Sequence, residues 1–294
     1  MILSSALSAS LTDVLNTYTG QSAEVLVKSA VRGGSINTCF RIEYAGRYYF
    51  IKINTAGAYP GMFAAEAESL RIIGGMGAID VPIVIGNGIA GNEQFLVLAW
   101  VETSAPQKHN LEDLGRRLAA LHKNTSQKYG FSFNNYMGSL SQSNNYHDTA
   151  AGFFIAERIK PQIDIAVRRN LLTEELKMKT RALFDRLHAL IPEEPPAFIH
   201  GDLWSGNYMI SDKGQPVLID PAISYFHREA DISMTALFGG FGSFFYEAYN
   251  EYYPLSKGWE ERQELWNLYP LLIHLNLFGM SYYPEVKAAV LKYL

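Results

Sequence analysis

Two carboxylates and a carboxamide lie close together in one part of this chain, and their types and spacing suit the transfer of a phosphoryl group. The run His200-Gly201-Asp202-Leu203-Trp204-Ser205-Gly206-Asn207 offers Asp202 as a proton acceptor and Asn207 as a neutral oxygen ligand. Downstream, the apolar Pro216-Val217-Leu218-Ile219 run reads as a strand that delivers a second carboxylate, Asp220, to the same place. Hard oxygen ligands at Asn207 and Asp220 beside Asp202 suit a magnesium ion carrying nucleotide phosphates. His, Gly, Asp and Asn are also ordinary residues of surface turns, so the reading depends on partners elsewhere in the chain.

The spacing matches the H-R-D-L-x-x-x-N catalytic loop of protein kinases at every fixed position but one, where Gly201 replaces the Arg. The upstream partners are present. Tyr49-Phe50-Ile51-Lys52 has the form of the V-A-I-K strand, whose Lys holds nucleotide phosphates. The helix-like segment Met62 to Gly74 then offers Glu66 as the acidic partner of Lys52, with Glu68 as the competitor. Two positions apart on a helix, the two acids do not share a face. Between two strands, Arg32-Gly33-Gly34-Ser35-Ile36-Asn37-Thr38 has glycines that let backbone N–H groups approach a phosphate, although any hairpin also favours a Gly pair. Gly33, Gly34, Ser35, Ile36 and Asn37 are thus candidate nucleotide-binding residues, and Leu98-Ala99-Trp100-Val101 is the candidate link whose backbone would meet adenine.

The elements that must position these residues follow from pattern. Leu3, Leu7, Leu11, Val14, Leu15 and Tyr18 share one helical face that ends at Gly20. Strands are expected over Glu24–Val31, Cys39–Tyr44 and Arg47–Ile53, then over Val81–Ile85 and Gln94–Val101, giving a five-stranded antiparallel sheet with one packed helix. The rest reads as mainly helical. Asn110 is a candidate N-cap for a helix whose Leu111, Leu114, Leu118 and Leu121 point inward, and His122 at its end reads as a packing histidine. Further helices are expected over Asp148–Asn170, interrupted at Pro161, and over Thr173–Leu190. Asp231 opens a later helix, where it caps the backbone or orders the catalytic loop. The fold expected is α+β and bilobal, of protein-kinase-like form, with residues 1–101 as a nucleotide-binding lobe and 102–294 as a catalytic and substrate lobe.

With 294 residues, 48% of them hydrophobic, the chain is ample for two lobes. A formal net charge of -4 gives no electrostatic reason to expect nucleic acid as a partner. A single Cys, Cys39, excludes an internal disulfide and fits a reducing compartment. The first basic residue is Lys28 and no apolar run approaches a membrane span, so a soluble cytoplasmic protein is expected.

Nearly the whole chain resembles the fructosamine kinases, or ketosamine kinases, of the protein-kinase-like and aminoglycoside-phosphotransferase-like fold. The resemblance is most specific at His200 to Asn207, from His227 through Asp231 to Phe241, and at Tyr269 to Gly279; Tyr129 to Tyr136 and Phe153 to Arg158 also match. It implies ATP-dependent phosphorylation, with magnesium, of the third-carbon hydroxyl of a ketosamine, a sugar joined to an amine by glycation and carried on a small molecule or a protein. Carried over by residue, Asp202 is the base, Asn207 and Asp220 hold magnesium, Lys52 with Glu66 positions phosphates, and Trp204 faces the substrate or packs beside it. Departures exist. Ser35 stands where many relatives carry a Cys, Ala99 where many carry an acid, and Tyr146-His147 where relatives often have Trp. An aminoglycoside- or choline-type phosphotransferase and a nucleotide-binding pseudokinase module remain the alternatives.

Overall fold

The computed structural model describes residues 3–31 and 36–294 of the chain. It divides into two compact units, one comprising 1–110 with 208–220 and the other 111–207 with 221–294. In chain order, helix α1 (Ser5–Thr19) is followed by strands β1 (Leu26–Val31), β2 (Thr38–Tyr44) and β3 (Arg47–Thr55). Helix α2 (Met62–Met76) leads to β4 (Val84–Ala90), β5 (Glu93–Ala99) and the short β6 (Thr103–Ser104). Helix α3 (Lys108–His122), strands β7 (Asn135–Met137) and β8 (Leu140–Gln142), and helices α4 (Ala150–Phe153), α5 (Lys160–Arg168), α6 (Glu174–Phe184) and α7 (Leu187–Leu190) come next. Four short strands follow: β9 (Ala197–Ile199), β10 (Tyr208–Ser211), β11 (Pro216–Leu218) and β12 (Ser224–Phe226). Helices α8 (Glu229–Leu237), α9 (Ser243–Tyr252), α10 (Gln263–Phe278) and α11 (Tyr283–Lys292) complete the chain.

In the first unit the strands pair in the order β1-β2-β3-β5-β4, every pair antiparallel, as alternating apolar segments joined by short turns require. Leu7, Leu11 and Leu15 of α1 are buried with Phe40, Ile42, Ile51, Phe95 and Val97 of the sheet, and Gly20 ends α1 in the left-handed conformation. The fourth strand lies at Val84–Ala90, not at the expected Val81–Ile85. Its glycines disguised it. A Cβ on Gly86 would meet Val14 of α1 at 2.6 Å and one on Gly88 would meet Phe95 at 2.9 Å, so close packing, not a turn, demands them. Strand β5 ends at Ala99, short of the expected Val101.

The first unit also differs from the expected 1–101 lobe. The β10–β11 hairpin pairs with β6 as a three-stranded sheet, and Leu218 N–H donates to Asp80 O at 2.9 Å, so hydrogen bonding binds residues 208–220 to this unit. Asn110 pins the hairpin turn by donating from Nδ2 to Gly214 O at 2.7 Å. It is not an N-cap. The helix begins at Lys108, and Asn110 Oδ1 accepts from Gln107 N–H at 2.8 Å, reaching back as the third residue of a capping box does.

The second unit is mainly helical, around a core that includes Phe153, Phe154, Ile159, Leu265, Leu272 and Val286. The helix expected to break at Pro161 does not. A π turn over Phe154–Ile159 joins α4 to α5, and Pro161 falls in the first turn of α5, where its missing N–H costs little. The helix expected over Thr173–Leu190 is two, α6 and α7, the first capped by Thr173 Oγ1 accepting from Leu176 N–H at 3.2 Å. Helices α3 and α9 touch at Gly115, where a Cβ would lie 2.4 Å from Phe245 O and 3.0 Å from Tyr249 N. Because both obstacles are backbone, Gly115→Ala must push the helices apart; we expect a loss of about 1–3 kcal/mol, read as a lowered midpoint of chemical unfolding at unchanged m-value.

Candidate active site

Lys52 on β3 is the buried cation of the first unit, only 4% exposed. Its Nζ donates to Glu66 Oε1 at 2.7 Å and to Asp220 Oδ1, so β3, α2 and the residue just beyond β11 converge on one ammonium group. Burial works against the charge, but the two carboxylates outweigh it and hold the ammonium well above its ordinary range. Burial pushes Glu66 up to about 6 against the pull of Lys52, with Asp220 adding to the rise. Glu68 points elsewhere, pairing at the surface with Arg71 at 3.6 Å. The Asp220 side chain is 42% exposed against 11% for Glu66, so Asp220 forms the open face of the cluster. Its backbone has φ +56°, a left-handed conformation that Asp tolerates better than most residues and that accompanies functional sites.

A cysteine faces Lys52 on the neighbouring strand. This residue, Cys39, is the direct partner across β2–β3, and burial, more than the carboxylates, pushes its thiol up to about 11, which leaves it protonated and unreactive. Asn37 Oδ1 accepts from Asn54 Nδ2 at 2.8 Å, and Asn54 Oδ1 in turn accepts from Gln94 Nε2 at 2.7 Å; Ile36 precedes it, half-buried. Gly33, Gly34 and Ser35 lie outside the described residues. At the link, Leu98 and Ala99 end β5, Ala99 N–H donates to Ile83 O at 2.8 Å and Trp100 N–H to Tyr48 O at 3.3 Å. Arg41 stacks over Tyr48 and Trp100 and bonds Glu102 at 3.0 Å, fixing the approach to Val101.

The candidate catalytic loop, His200 to Asn207, belongs to the second unit. Asp231, in the first turn of α8, accepts His200 N–H at 2.7 Å and Gly201 N–H at 2.8 Å, with His122 Nε2 at 3.2 Å. Of the two roles open to Asp231 in the sequence, this geometry gives it the ordering of the loop. His200 Nδ1 accepts Asp202 N–H at 3.3 Å. Gly201 has φ +82°, and a Cβ there would lie 2.1 Å from Ala222 O, which explains why no Arg stands at this position. Asn207 Nδ2 donates to Asp202 O at 2.7 Å and to Asp202 Oδ2 at 3.1 Å, a pair of bonds that orients the Asp202 carboxylate and turns Asn207 Oδ1 away from it. Trp204 lies over Gly206, whose Cβ would strike the ring at 2.3 Å, and meets Phe238 edge-on at 6.1 Å. From Phe238 the rings continue through His274 at 4.9 Å to Phe278, which is 54% exposed.

Among the described residues, only Glu194, His227 and Glu229 bring three potential metal-ligating groups together. Both carboxylates are already held by guanidinium groups, Glu194 by Arg228 at 2.7 and 3.0 Å and Glu229 by Arg262 at 2.8 and 2.5 Å, so the charges there are balanced without a metal. The sequence reading took His122 only as a packing residue. Its place at the end of an apolar face required a buried polar partner, but nothing in the sequence said that the partner would be Asp231.

The fold and this arrangement define a kinase-like phosphotransferase. Aminoglycoside phosphotransferase APH(4)-Ia, crystallised as a thermostable mutant with AMP-PNP and hygromycin B, shares the fold with a TM-score of 0.63 at 14% identity, covering 96% of this chain and 98% of that one. The chain belongs to the fructosamine kinase family, whose model matches residues 7–294. A probable ketoamine kinase of Enterococcus faecium is 38% identical over 258 residues, 87% of this chain and 91% of the relative. The chloroplastic protein-ribulosamine 3-kinase of Oryza sativa subsp. japonica is 31% identical over 282 residues, 94% of this chain and 81% of the relative. A crystal structure from Thermobifida fusca, with a provisional fructosamine-3-kinase name, superposes with a TM-score of 0.85 at 34% identity, covering 97% of this chain and 98% of that one.

Glu66 gives this site a pH signature. As pH falls through about 6 its carboxylate takes up a proton and Lys52 loses a counter-ion, so kcat/KM for the nucleotide should fall on the acid side. In Glu66→Gln the limb near 6 should disappear and the neutral-pH value should drop about tenfold; a pH–rate profile of both proteins checks this.

Proposed function

We propose that the protein transfers the γ-phosphoryl group of ATP to the third-carbon hydroxyl of a ketosamine. For the transfer, the supporting observation is the buried Lys52 held between Glu66 and Asp220. For the acceptor, it is the family match running from residue 7 to residue 294, with a ribulosamine 3-kinase among the relatives.

The donor set fits magnesium-ATP. Asp220 spends Oδ1 on Lys52 and presents its second oxygen on the exposed side, and Asn207 spends its amide N–H groups on Asp202, leaving its carbonyl oxygen for a cation. Bound magnesium-ATP supplies the phosphoryl group and the countercharge for its transfer. Lys52, kept in place by Glu66, neutralises phosphate oxygens. Gly33, Gly34, Ser35, Ile36 and Asn37 cover the phosphates, and the Val101 backbone reads adenine, since the Ala99 and Trp100 N–H groups are already bonded. Asp202, oriented by Asn207, accepts the hydroxyl proton. Trp204 and the rings that follow it, Phe238 and His274, face the sugar and its amine. A phosphate placed next to the sugar carbonyl carbon is a good leaving group, so the product breaks down and releases the amine, a repair reaction. No helix among the described residues is long and apolar enough to cross a membrane, and a lone, protonated thiol suits the reducing cytoplasm.

Purified protein with magnesium-ATP, assayed against fructosyl-lysine, ribulosyl-lysine, kanamycin and choline, should phosphorylate the ketosamines. Turnover of kanamycin or choline with neither ketosamine overturns the acceptor, and no turnover at all overturns the enzyme. Asp202→Asn should lose about 10²- to 10⁴-fold in kcat while keeping nucleotide affinity. Asp220→Ala should lose magnesium-dependent ATP affinity as well; unchanged magnesium-ATP binding by calorimetry would remove it from the ligand set.

A further inference from the structure

Arg228, Tyr249, His122 and Asp231 form a buried line of polar groups in the second unit that ends on the catalytic loop. None is more than 3% exposed. Arg228 Nη1 donates to Tyr249 Oη at 3.5 Å, Tyr249 Oη lies 2.8 Å from His122 Nδ1, and His122 Nε2 lies 3.2 Å from Asp231 Oδ2. The direction of each proton follows from the groups themselves. A guanidinium only donates and an ionised carboxylate only accepts. Burial keeps the Tyr249 phenol far above its usual range, so its proton stays and needs an acceptor, and His122 Nδ1 is the one that the described residues offer. His122 therefore carries its proton on Nε2 and donates it to Asp231.

Asp231 then has three donors, the His122 ring and the backbone N–H groups of His200 and Gly201. Burial pushes its carboxyl up, but the hydrogen bonds from His122 and the Gly201 N–H hold it below the ordinary range. At the far end of the line the Arg228 guanidinium is paired with Glu194, the further charged group that Tyr249 feels. Asp231 by itself already favours the proton on Nε2; the Tyr249 hydroxyl reinforces that form and holds the ring in place by donating to Nδ1, and without it Nδ1 is a buried acceptor left without that donor. The loop backbone runs so close to Ala222 that a Cβ on Gly201 would lie 2.1 Å from its oxygen, and Ala222 N–H donates to His200 O at 2.8 Å, which leaves the loop little freedom to adjust.

We propose that Tyr249, acting through His122, is a positioning residue for phosphoryl transfer, because its hydroxyl holds the His122 ring in the orientation from which it donates to Asp231, the acid that holds the His200–Gly201 backbone from which Asp202 is presented. The kinetic part rests on the reading of Asp202 as the base. The positional part does not, and the two can be measured separately.

The test uses the full chain carrying Tyr249→Phe, His122→Leu or His122→Gln. Amide hydrogen exchange at His200 and Gly201 reads loop anchoring without any substrate, kcat and the KM for ATP read catalysis, and thermal unfolding reads stability. Tyr249→Phe removes one oxygen and keeps the ring, so it should fold; we expect about tenfold faster exchange at the two amides and about three- to tenfold lower kcat, with the KM for ATP unchanged. His122→Leu should lose about tenfold to a hundredfold in kcat. His122→Gln, whose amide offers both a donor and an acceptor, should recover most of it. Wild-type exchange and kcat in Tyr249→Phe would overturn the proposal even if the variant is less stable, as would a His122→Gln protein no better than His122→Leu. If wild type phosphorylates no ketosamine, the function reading fails, and the exchange rates still decide whether Tyr249 positions the loop.

Discussion

A lysine buried to 4% exposure cannot stay charged without countercharge, and that constraint organises the first unit. Glu66 comes from α2 and Asp220 from the end of the β10–β11 hairpin, so a segment distant in sequence is tied to the N-terminal sheet. The hairpin is secured again by β6, by Asp80 and by Asn110. Removing one partner of a buried ion pair typically costs about 3–5 kcal/mol, far more than an exposed pair such as Glu68–Arg71 contributes. The cluster carries two acids for one base, and its exposed member is Asp220. That leaves the open side of the cluster anionic.

The catalytic loop meets a different constraint. It is short, glycine-rich and without regular hydrogen bonding of its own, so its backbone N–H groups need an outside acceptor. Asp231 supplies it from α8, and Ala222 N–H closes the other side by donating to His200 O at 2.8 Å. The glycine that replaces the usual arginine at 201 follows from this geometry, since neither the φ of +82° nor the 2.1 Å approach to Ala222 O admits a side chain.

Two further places singled out in the sequence are explained by their surroundings. Cys39 sits opposite Lys52 on the strand, with a thiol raised to about 11, so it is a packing residue and a poor redox sensor. His147 donates toward Glu157 at 2.8 Å and Tyr146 is 55% exposed, so this segment is held by a polar pair beside an exposed ring.

The fold class and the sheet with its packed helix were legible in the sequence, which also offered Lys52, Asp202, Asn207 and Asp220 as candidates, because side-chain type and local period carry that information over short spans. It misplaced β4, whose glycines at 86 and 88 answer to Val14 and Phe95 on other elements, and it took Asn110 as a cap and Pro161 as a break, where a distant hairpin and a π turn decide their roles. It also drew the first unit as one continuous piece. Only tertiary structure could return residues 208–220 to that unit, choose Glu66 over Glu68, and join His122 to Asp231 and Tyr249. Buried polar groups must find partners wherever folding places them, and sequence spacing does not encode those distances.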